Sequence, residues 1–345
     1  MSAASGTRTT EVAAAAPALE VTDLVVRYGT SRKARLAPPA IDRVTFDIRP
    51  GETLGLVGES GSGKSTIGKS VLGLQPPTSG TVLLHGRDIT KASLKERRGL
   101  AVDLRVVFQD PYSSLNPSRT IGQTLVEPLA VLGVRRAEAL QRARATLESV
   151  GLPADAADRY PAQFSGGQRQ RIAIARALVC DPKVVVLDEP VSALDLSTQA
   201  TVLNLLADLR DQRDLAFLFI AHDLGVVRFL AQRVVVLYRG QIMESGPVEP
   251  VTQGPQHPYT VALTAAAPVP RPAEQAARRE AREALGFRTA GVAAPAAAGC
   301  PFAPRCPLVT DVCRAERPPL RHAGDSLSAC HHAERVPSLR PVPVP

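Results

Sequence analysis

Residues 53–65 read Thr53-Leu54-Gly55-Leu56-Val57-Gly58-Glu59-Ser60-Gly61-Ser62-Gly63-Lys64-Ser65. A short apolar run enters a turn that fits G-x-x-x-x-G-K-[ST], and a helical pattern over Lys64–Leu74 leaves it. Glycines let such a turn curl so that backbone N–H groups point inward at phosphate oxygens. The helix start adds a favourable dipole. Lys64 supplies a point charge to β and γ phosphates, and the Ser65 hydroxyl is a Mg²⁺ ligand by type. The stretch predicts a nucleoside triphosphate site at a strand end, with Gly58, Ser60, Gly61, Gly63, Lys64, Ser65 and Thr66 as its binding residues.

Working outward, strand-like runs alternate with helical patterns. Leu19–Arg27 and Val44–Ile48 alternate as strands with one wet face, and Thr81–Leu84 and Arg105–Phe108 are further strands. Val184–Leu187, Leu215–Ile220 and Val234–Leu237 are continuous apolar runs of the kind buried parallel strands show. Between Asp110 and Pro161 the pattern turns helical, with Leu140, Ala143, Leu147 and Val150 on one face and Gly151 and Pro153 as a stop. An α/β layout with a mostly parallel sheet and a helical insert follows.

Length and composition bound the rest. The 345 residues suggest two domains with a small third. With 44 % hydrophobic and 21 % charged residues, global disorder and a fibrous repeat are excluded. The longest central apolar run, Leu215–Ala221, is far short of the ~20 residues a membrane helix needs. The Ala-rich start through residue 18 reads as a disordered leader on a cytosolic protein and makes a poor signal peptide. The formal charge of +8 is scattered and Trp is absent, which reads as a solvated surface rather than a nucleic-acid site. Composition shifts near residue 250: residues 250–345 carry 16 of the 30 prolines and four of the five cysteines.

Two further motifs carry chemistry. Val184–Leu187 delivers Asp188 and Glu189 to a strand end, where Asp188 suits Mg²⁺, mostly through water, and Glu189 suits polarising an attacking water. Phe164-Ser165-Gly166-Gly167-Gln168 opens a helix with Ile172, Ala175 and Leu178 on one face, a second anion site. One nucleotide does not need two such loops, so the second is expected to meet a phosphate held by another subunit.

The ordered set of phosphate loop, Gln109 after a strand, Ser165-Gly166-Gly167-Gln168, Asp188-Glu189, Ser192-Ala193-Leu194-Asp195 and His222 resembles the ATP-binding subunits of ATP-binding-cassette (ABC) transporters, over about residues 19–265. Phe164 stands where many members have Leu. The resemblance implies a P-loop NTPase (RecA-like) α/β core with an N-terminal antiparallel β subdomain and a helical insert, plus a small Pro/Cys-rich C-terminal extension. It implies a leader over 1–18, an ATPase domain over 19–250 with a helical subdomain about 111–165, and an extension over 251–345. It implies that Tyr28 stacks on adenine and that Gln109 senses Mg²⁺ and the γ-phosphate. It places Asp195 at a dimer seam and makes His222 the switch that orders Glu189. ATP would lie between two subunits arranged head to tail, hydrolysed with Mg²⁺ at the cytoplasmic face of the inner or plasma membrane.

Local strings narrow the branch. Val107-Phe108-Gln109-Asp110-Pro111-Tyr112-Ser113-Ser114-Leu115-Asn116-Pro117, Gln256-His257-Pro258-Tyr259-Thr260 and Gly299-Cys300-Pro301-Phe302-Ala303-Pro304-Arg305-Cys306-Pro307 resemble the ATPase subunits of oligopeptide, dipeptide and nickel importers. Two transmembrane permease subunits, a second, non-identical ATPase and an extracytoplasmic substrate-binding protein are the partners implied, with peptide or a nickel chelate as ligand. A soluble ABC ATPase of DNA repair or translation is one competing reading, against which the short insert and single cassette speak, and an export ATPase is another, against which only the Pro/Cys tail leans. Cys300, Cys306, Cys313 and Cys330 match neither the tight pairs of structural zinc nor the common ferredoxin spacings. Four thiols in a tail with little core still suggest a metal staple. The resemblance implies a [4Fe-4S] cluster, and His331 and His332 keep zinc open. Cys180 reads as a buried small hydrophobe, and Arg271–Arg288 as a solvated helix or linker.

Overall fold

The computed structural model describes residues 16–29, 31, 37–110, 115–266, 286–287 and 298–339. The leader up to residue 15, residues 111–114 of the importer-like string, and the 271–288 segment apart from 286–287 lie outside them.

Twelve strands form two sheets among the described residues. Strands β1 (Leu19–Val26), β2 (Ile41–Ile48), β4 (Ser79–Leu84) and β5 (Arg87–Asp88) make an antiparallel sheet in the order β2-β1-β4-β5. Alternation along β1 breaks at Thr22 and Asp23. Asp23 has φ 48°, the pairing register slips between Val21 and Leu24, and both of those residues stay buried. A bulge inserts one residue and so restores the inward face.

The larger sheet runs β11-β12-β10-β9-β3-β8-β7-β6. Its parallel centre comprises β3 (Thr53–Val57), β6 (Leu104–Val107), β7 (Val184–Asp188), β8 (Ala216–Ala221) and β9 (Arg233–Tyr238). The antiparallel strand β10 (Gln241–Pro247) follows, and then the pair β11 (Arg321–Ala323) and β12 (Ser326–Ser328). The apolar runs are continuous because both sheet faces are covered. Val184, Val186, Leu218 and Ile220 pack with Ile67 and Val71 of the helix Lys64–Val71 and with Leu19 and Leu24 of the small sheet. Val185, Leu187, Phe217 and Phe219 pack the other way, on Ile172, Leu206 and Val227 from the helices Gly166–Leu178, Leu196–Arg213 and Leu224–Leu230.

The expected helical insert is present as Ile121–Val131 and Arg136–Ser149. Ala143 and Leu147 are fully buried, with Val150 just past the helix end, while Leu140 is half-buried and Ala139 takes its place inside. Cys180 is buried as expected, and its sulfur also accepts from Arg105 Nη2 at 2.6 Å.

After the helix Val248–Gln253, the stretch beyond residue 250 adds β11 and β12 to the main sheet, together with helices Pro258–Ala266 and Asp311–Ala315. Tyr259 and Phe302 are fully buried in the same core cluster as Val57 and Tyr238.

Candidate nucleotide site

The C-terminal ends of β3, β7 and β8 release three turns at one edge of the sheet, the edge where open α/β sheets bind ligands. Gly58 leaves β3 with φ 155°, and a Cβ there would lie 2.1 Å from the Leu237 carbonyl oxygen. No side chain fits, so the loop can curl tightly against the end of β9. Lys64, 5 % exposed, donates from Nζ to the carbonyls of Gly58 at 2.7 Å and Glu59 at 3.1 Å. Burial lowers its pKa, opposed by the carboxylates of Glu189, Asp188 and Glu59.

Ser65 donates to Asp188 Oδ1 at 3.2 Å. Burial raises the Asp188 carboxyl above its ordinary range, the Ser65 hydrogen bond opposes this, and Glu189 adds to it. An alcohol and a carboxylate beside buried negative charge are the hard oxygen donors that Mg²⁺ accepts.

Glu189 has φ 49°, a left-handed backbone that costs a non-glycine residue roughly 1–2 kcal/mol. Such strain persists only where the surroundings over-determine it, typically at functional sites. Gln109 Nε2 donates to Glu189 Oε2 at 3.2 Å, and His222 Nδ1 lies 3.4 Å from the same oxygen. Glu189 is thus gripped from the turns after β6 and β8. Its backbone N–H donates to the Ile220 carbonyl at 3.0 Å, and Ser192 Oγ donates to the Glu189 carbonyl at 3.0 Å.

The other predicted residues divide. Tyr28 is 51 % exposed, and its hydroxyl pairs with Thr66 Oγ1 at 2.9 Å, so it stands at the loop. Ser65 is half-buried, while Ser60 and Gly61 are exposed on the loop and Gly63 has φ 107°. Ser165 caps the helix Gly166–Leu178 in a reciprocal box: its Oγ accepts from Gln168 N at 3.3 Å, and Gln168 Oε1 accepts from Ser165 N at 3.0 Å. A Cβ on Gly167 would meet the Thr198 methyl at 2.4 Å. That close approach packs the turn on the helix that Asp195 caps. Asp195 takes hydrogen bonds from the Ser197 and Thr198 hydroxyls and from Thr198 N, which hold its carboxyl below the usual range. Beside it Leu196 is 82 % exposed.

Two residues that the sequence reading left without a role reach the phosphate loop. Arg305 makes a bidentate pair with Glu59 at 2.8 and 2.9 Å, and Tyr259 Oη accepts from Glu59 N at 2.8 Å. The signal in the sequence was limited to both residues lying in importer-like strings; nothing there pairs them with the loop.

Residues 41–192 match the ABC transporter family, and residues 243–313 match the oligopeptide/dipeptide transporter C-terminal region. A peptide import ATP-binding protein of Brucella ovis is 48 % identical over 308 residues, 88 % of this chain and 94 % of that protein. Another from Brucella abortus is 49 % identical over 299 residues, 86 % and 87 % of the two chains. The chain belongs to the ABC transporter ATP-binding family. This ABC ATPase is also similar to solved structures. One is cbiO1 of Clostridium perfringens, part of the ABC transporter complex cbiONQ, at TM-score 0.62 and 27 % identity over 69 % of this chain and 91 % of that one. Another is a dimeric ATP-binding cassette in a post-hydrolysis state bound to ADP and Pi, at TM-score 0.59 and 29 % identity over 67 % and 98 %. The expected P-loop NTPase core, antiparallel subdomain and helical insert are therefore those of an ATP-hydrolysing ABC subunit.

The metal expectation for its late cysteines gains no such support. Cys300, Cys306, Cys313 and Cys330 do line one cavity with His331 and His332, but its volume is about 10 Å³, the limit for a single water. Among the described residues no group of three or more His, Cys, Asp or Glu side chains is arranged to hold a metal ion. Burial pushes the Cys306 thiol up to about 12 and Cys330 to about 11, with smaller pushes from neighbouring cysteines. The cavity is lined chiefly by apolar surface. His332 is instead bonded to Thr310 Oγ1 at 2.8 Å.

Proposed function

We propose that this chain is the ATP-hydrolysing subunit of a peptide importer and that the sheet-edge residues carry the turnover. The observation that carries the site reading is the shared Glu189 oxygen, bonded to Gln109 and near His222, one residue from the Ser65–Asp188 pair. In this reading the backbone of Gly58–Ser65 and the Lys64 ammonium hold the phosphates of ATP, and the Tyr28 ring receives adenine. Ser65, Asp188 and Gln109 would hold Mg²⁺, which neutralises phosphate charge. Glu189 takes the proton of the attacking water, and His222 keeps its carboxylate aimed. Ser165, Gly166, Gly167 and Gln168, with Asp195 and the exposed Leu196 beside them, face the nucleotide of a second subunit. Closure on ATP and opening after hydrolysis move the membrane partners.

Peptide as cargo is supported by the names of the Brucella relatives and by the C-terminal region match. No helix among the described residues is long and apolar enough to cross a membrane, so translocation falls to partners. Two permease subunits, a non-identical second ATPase and an extracytoplasmic receptor complete the proposal, with this chain on the cytoplasmic face. The chain keeps its proposed division into an ATPase domain over 19–250 and an extension over 251–345. ATP hydrolysis by the reconstituted complex should rise when peptide-loaded receptor is added. Turnover indifferent to receptor and peptide would contradict import. For the late cysteines, the convergence of four thiols on one cavity is the support for a cluster. A visible absorption spectrum of anaerobically purified protein reads this directly, and a featureless spectrum rules the cluster out.

A further inference from the structure

We infer that Arg305 and Tyr259, both from the C-terminal extension, are positioning residues for the phosphate loop and tune its affinity for the triphosphate. All three polar groups of Glu59, the second residue of the loop, are held. Its carboxylate takes both arms of Arg305 at 2.8 and 2.9 Å, its N–H donates to Tyr259 Oη at 2.8 Å, and its carbonyl accepts from Lys64 Nζ at 3.1 Å. Two of its partners come from the extension, Ser62 N within the loop also donates to the carbonyl at 3.1 Å, and the remaining one is the lysine that meets the phosphates. A shift of Glu59 therefore moves the carbonyl against which Lys64 rests.

The brace is rigid on the extension side. The Arg305 guanidinium lies over the Phe302 and Tyr238 rings, 5.4 and 5.7 Å from their centroids. Tyr238, Tyr259 and Phe302 pack on one another with centroids 4.6 to 5.4 Å apart. Tyr259 is fully buried, and burial raises its pKa, so its hydroxyl stays protonated while accepting from Glu59. Isolated surface ion pairs contribute little. A bidentate pair packed over two rings, with the Arg305 side chain 22 % exposed, is geometrically fixed, and lysine does not reproduce it. The residue after Arg305 is Cys306, which lines the thiol cavity, so that cavity sits one residue from the brace.

The inference rests on the reading that Gly58–Ser65 binds the phosphates of ATP, and its test separates the two. In the full-length chain assembled with its permease partners, Mg-ATP affinity, KM and kcat are measured for Arg305→Gln, Glu59→Gln, their double variant, Tyr259→Phe, Lys64→Ala and the control Arg314→Gln. Arg314 pairs with Asp311 on the same extension, away from the loop. Each brace variant should weaken ATP binding and raise KM about 3- to 10-fold with kcat within about twofold, and the double should be no worse than the worse single. The control should match wild type. A merely structural role would lower the active fraction, and hence kcat, without this split. If Lys64→Ala weakens binding while the brace variants match wild type, or if the two single effects multiply, the inference is overturned. If Lys64→Ala itself binds as wild type, the phosphate-loop reading fails instead. Should Arg305→Gln fail to fold, Tyr259→Phe, which keeps the ring and removes only the hydroxyl, decides by the same split.

Discussion

At the sheet edge Glu189 stands in left-handed backbone and shares one oxygen with Gln109 and His222, whose side chain is 60 % exposed. On β10, against the extension, Glu244 is fully buried and accepts from Gln256 N at 2.8 Å, His257 N at 3.0 Å and Ser326 Oγ at 2.9 Å. The two carboxylates mark two ways of using polar groups. The first is strained and open, with bonding capacity left for substrate. The second is closed on its own backbone and knits β10, β12 and the helix Pro258–Ala266 together. Burial raises the pKa of Glu244, against which its hydrogen bonds work. Strain at an edge persists only where the surroundings over-determine it.

The contrast can be sharpened by breaking each side. The largest effect is expected for Glu189→Gln. Removing the general base should lower kcat by about 10²–10⁴-fold while ATP affinity changes less than about threefold. Steady-state turnover and nucleotide titration on the same preparation check it.

On the extension side, burial holds the His257 pKa down at about 3, while the unfolded imidazole titrates near 6.5. Its stability contribution is therefore present above pH 6.5 and is lost as pH falls toward 3. His257→Gln removes this titration. The stability gap between wild type and variant should shrink by a few kcal/mol between pH 7 and pH 4, read by denaturant unfolding. A gap that is constant with pH would contradict the burial of a neutral ring. Glu244 titrates in the opposite sense, so the difference between variants, not either curve alone, is the readout.

The smallest effect is on stability at the site itself. Asp188→Asn relieves a buried carboxylate beside Glu189 and should raise stability by on the order of 1 kcal/mol while abolishing Mg²⁺-dependent hydrolysis. Thermal melts without nucleotide test the first half. A destabilised Asn variant would mean that the Ser65 hydrogen bond outweighs the cost of burial.

The same contrast explains what was legible in the sequence. Gly58–Ser65, Ser165–Gln168 and Val184–Glu189 are local: a strand, a turn and a few side chains at fixed spacing carry their own chemistry. That spacing was enough to predict the parallel sheet, the insert and most of the edge. Arg305 and Glu59 are separated by 246 positions and Tyr259 and Glu59 by 200, so no periodicity links them. The slip at Asp23 was hidden because a bulge shows only when the partner strand is in place. The four late cysteines are also far apart in sequence, and their convergence on one cavity shows only in the fold.

The central claim is that the curled backbone of residues 58–65 grips the triphosphate, with Lys64 as its point charge. Calorimetric titration of Mg-ATP into wild type and Lys64→Ala tests it most directly. Loss of a charge-assisted contact should weaken binding by about 1.5–3 kcal/mol, roughly 10- to 150-fold in Kd. Equal affinity in the two proteins would contradict the account.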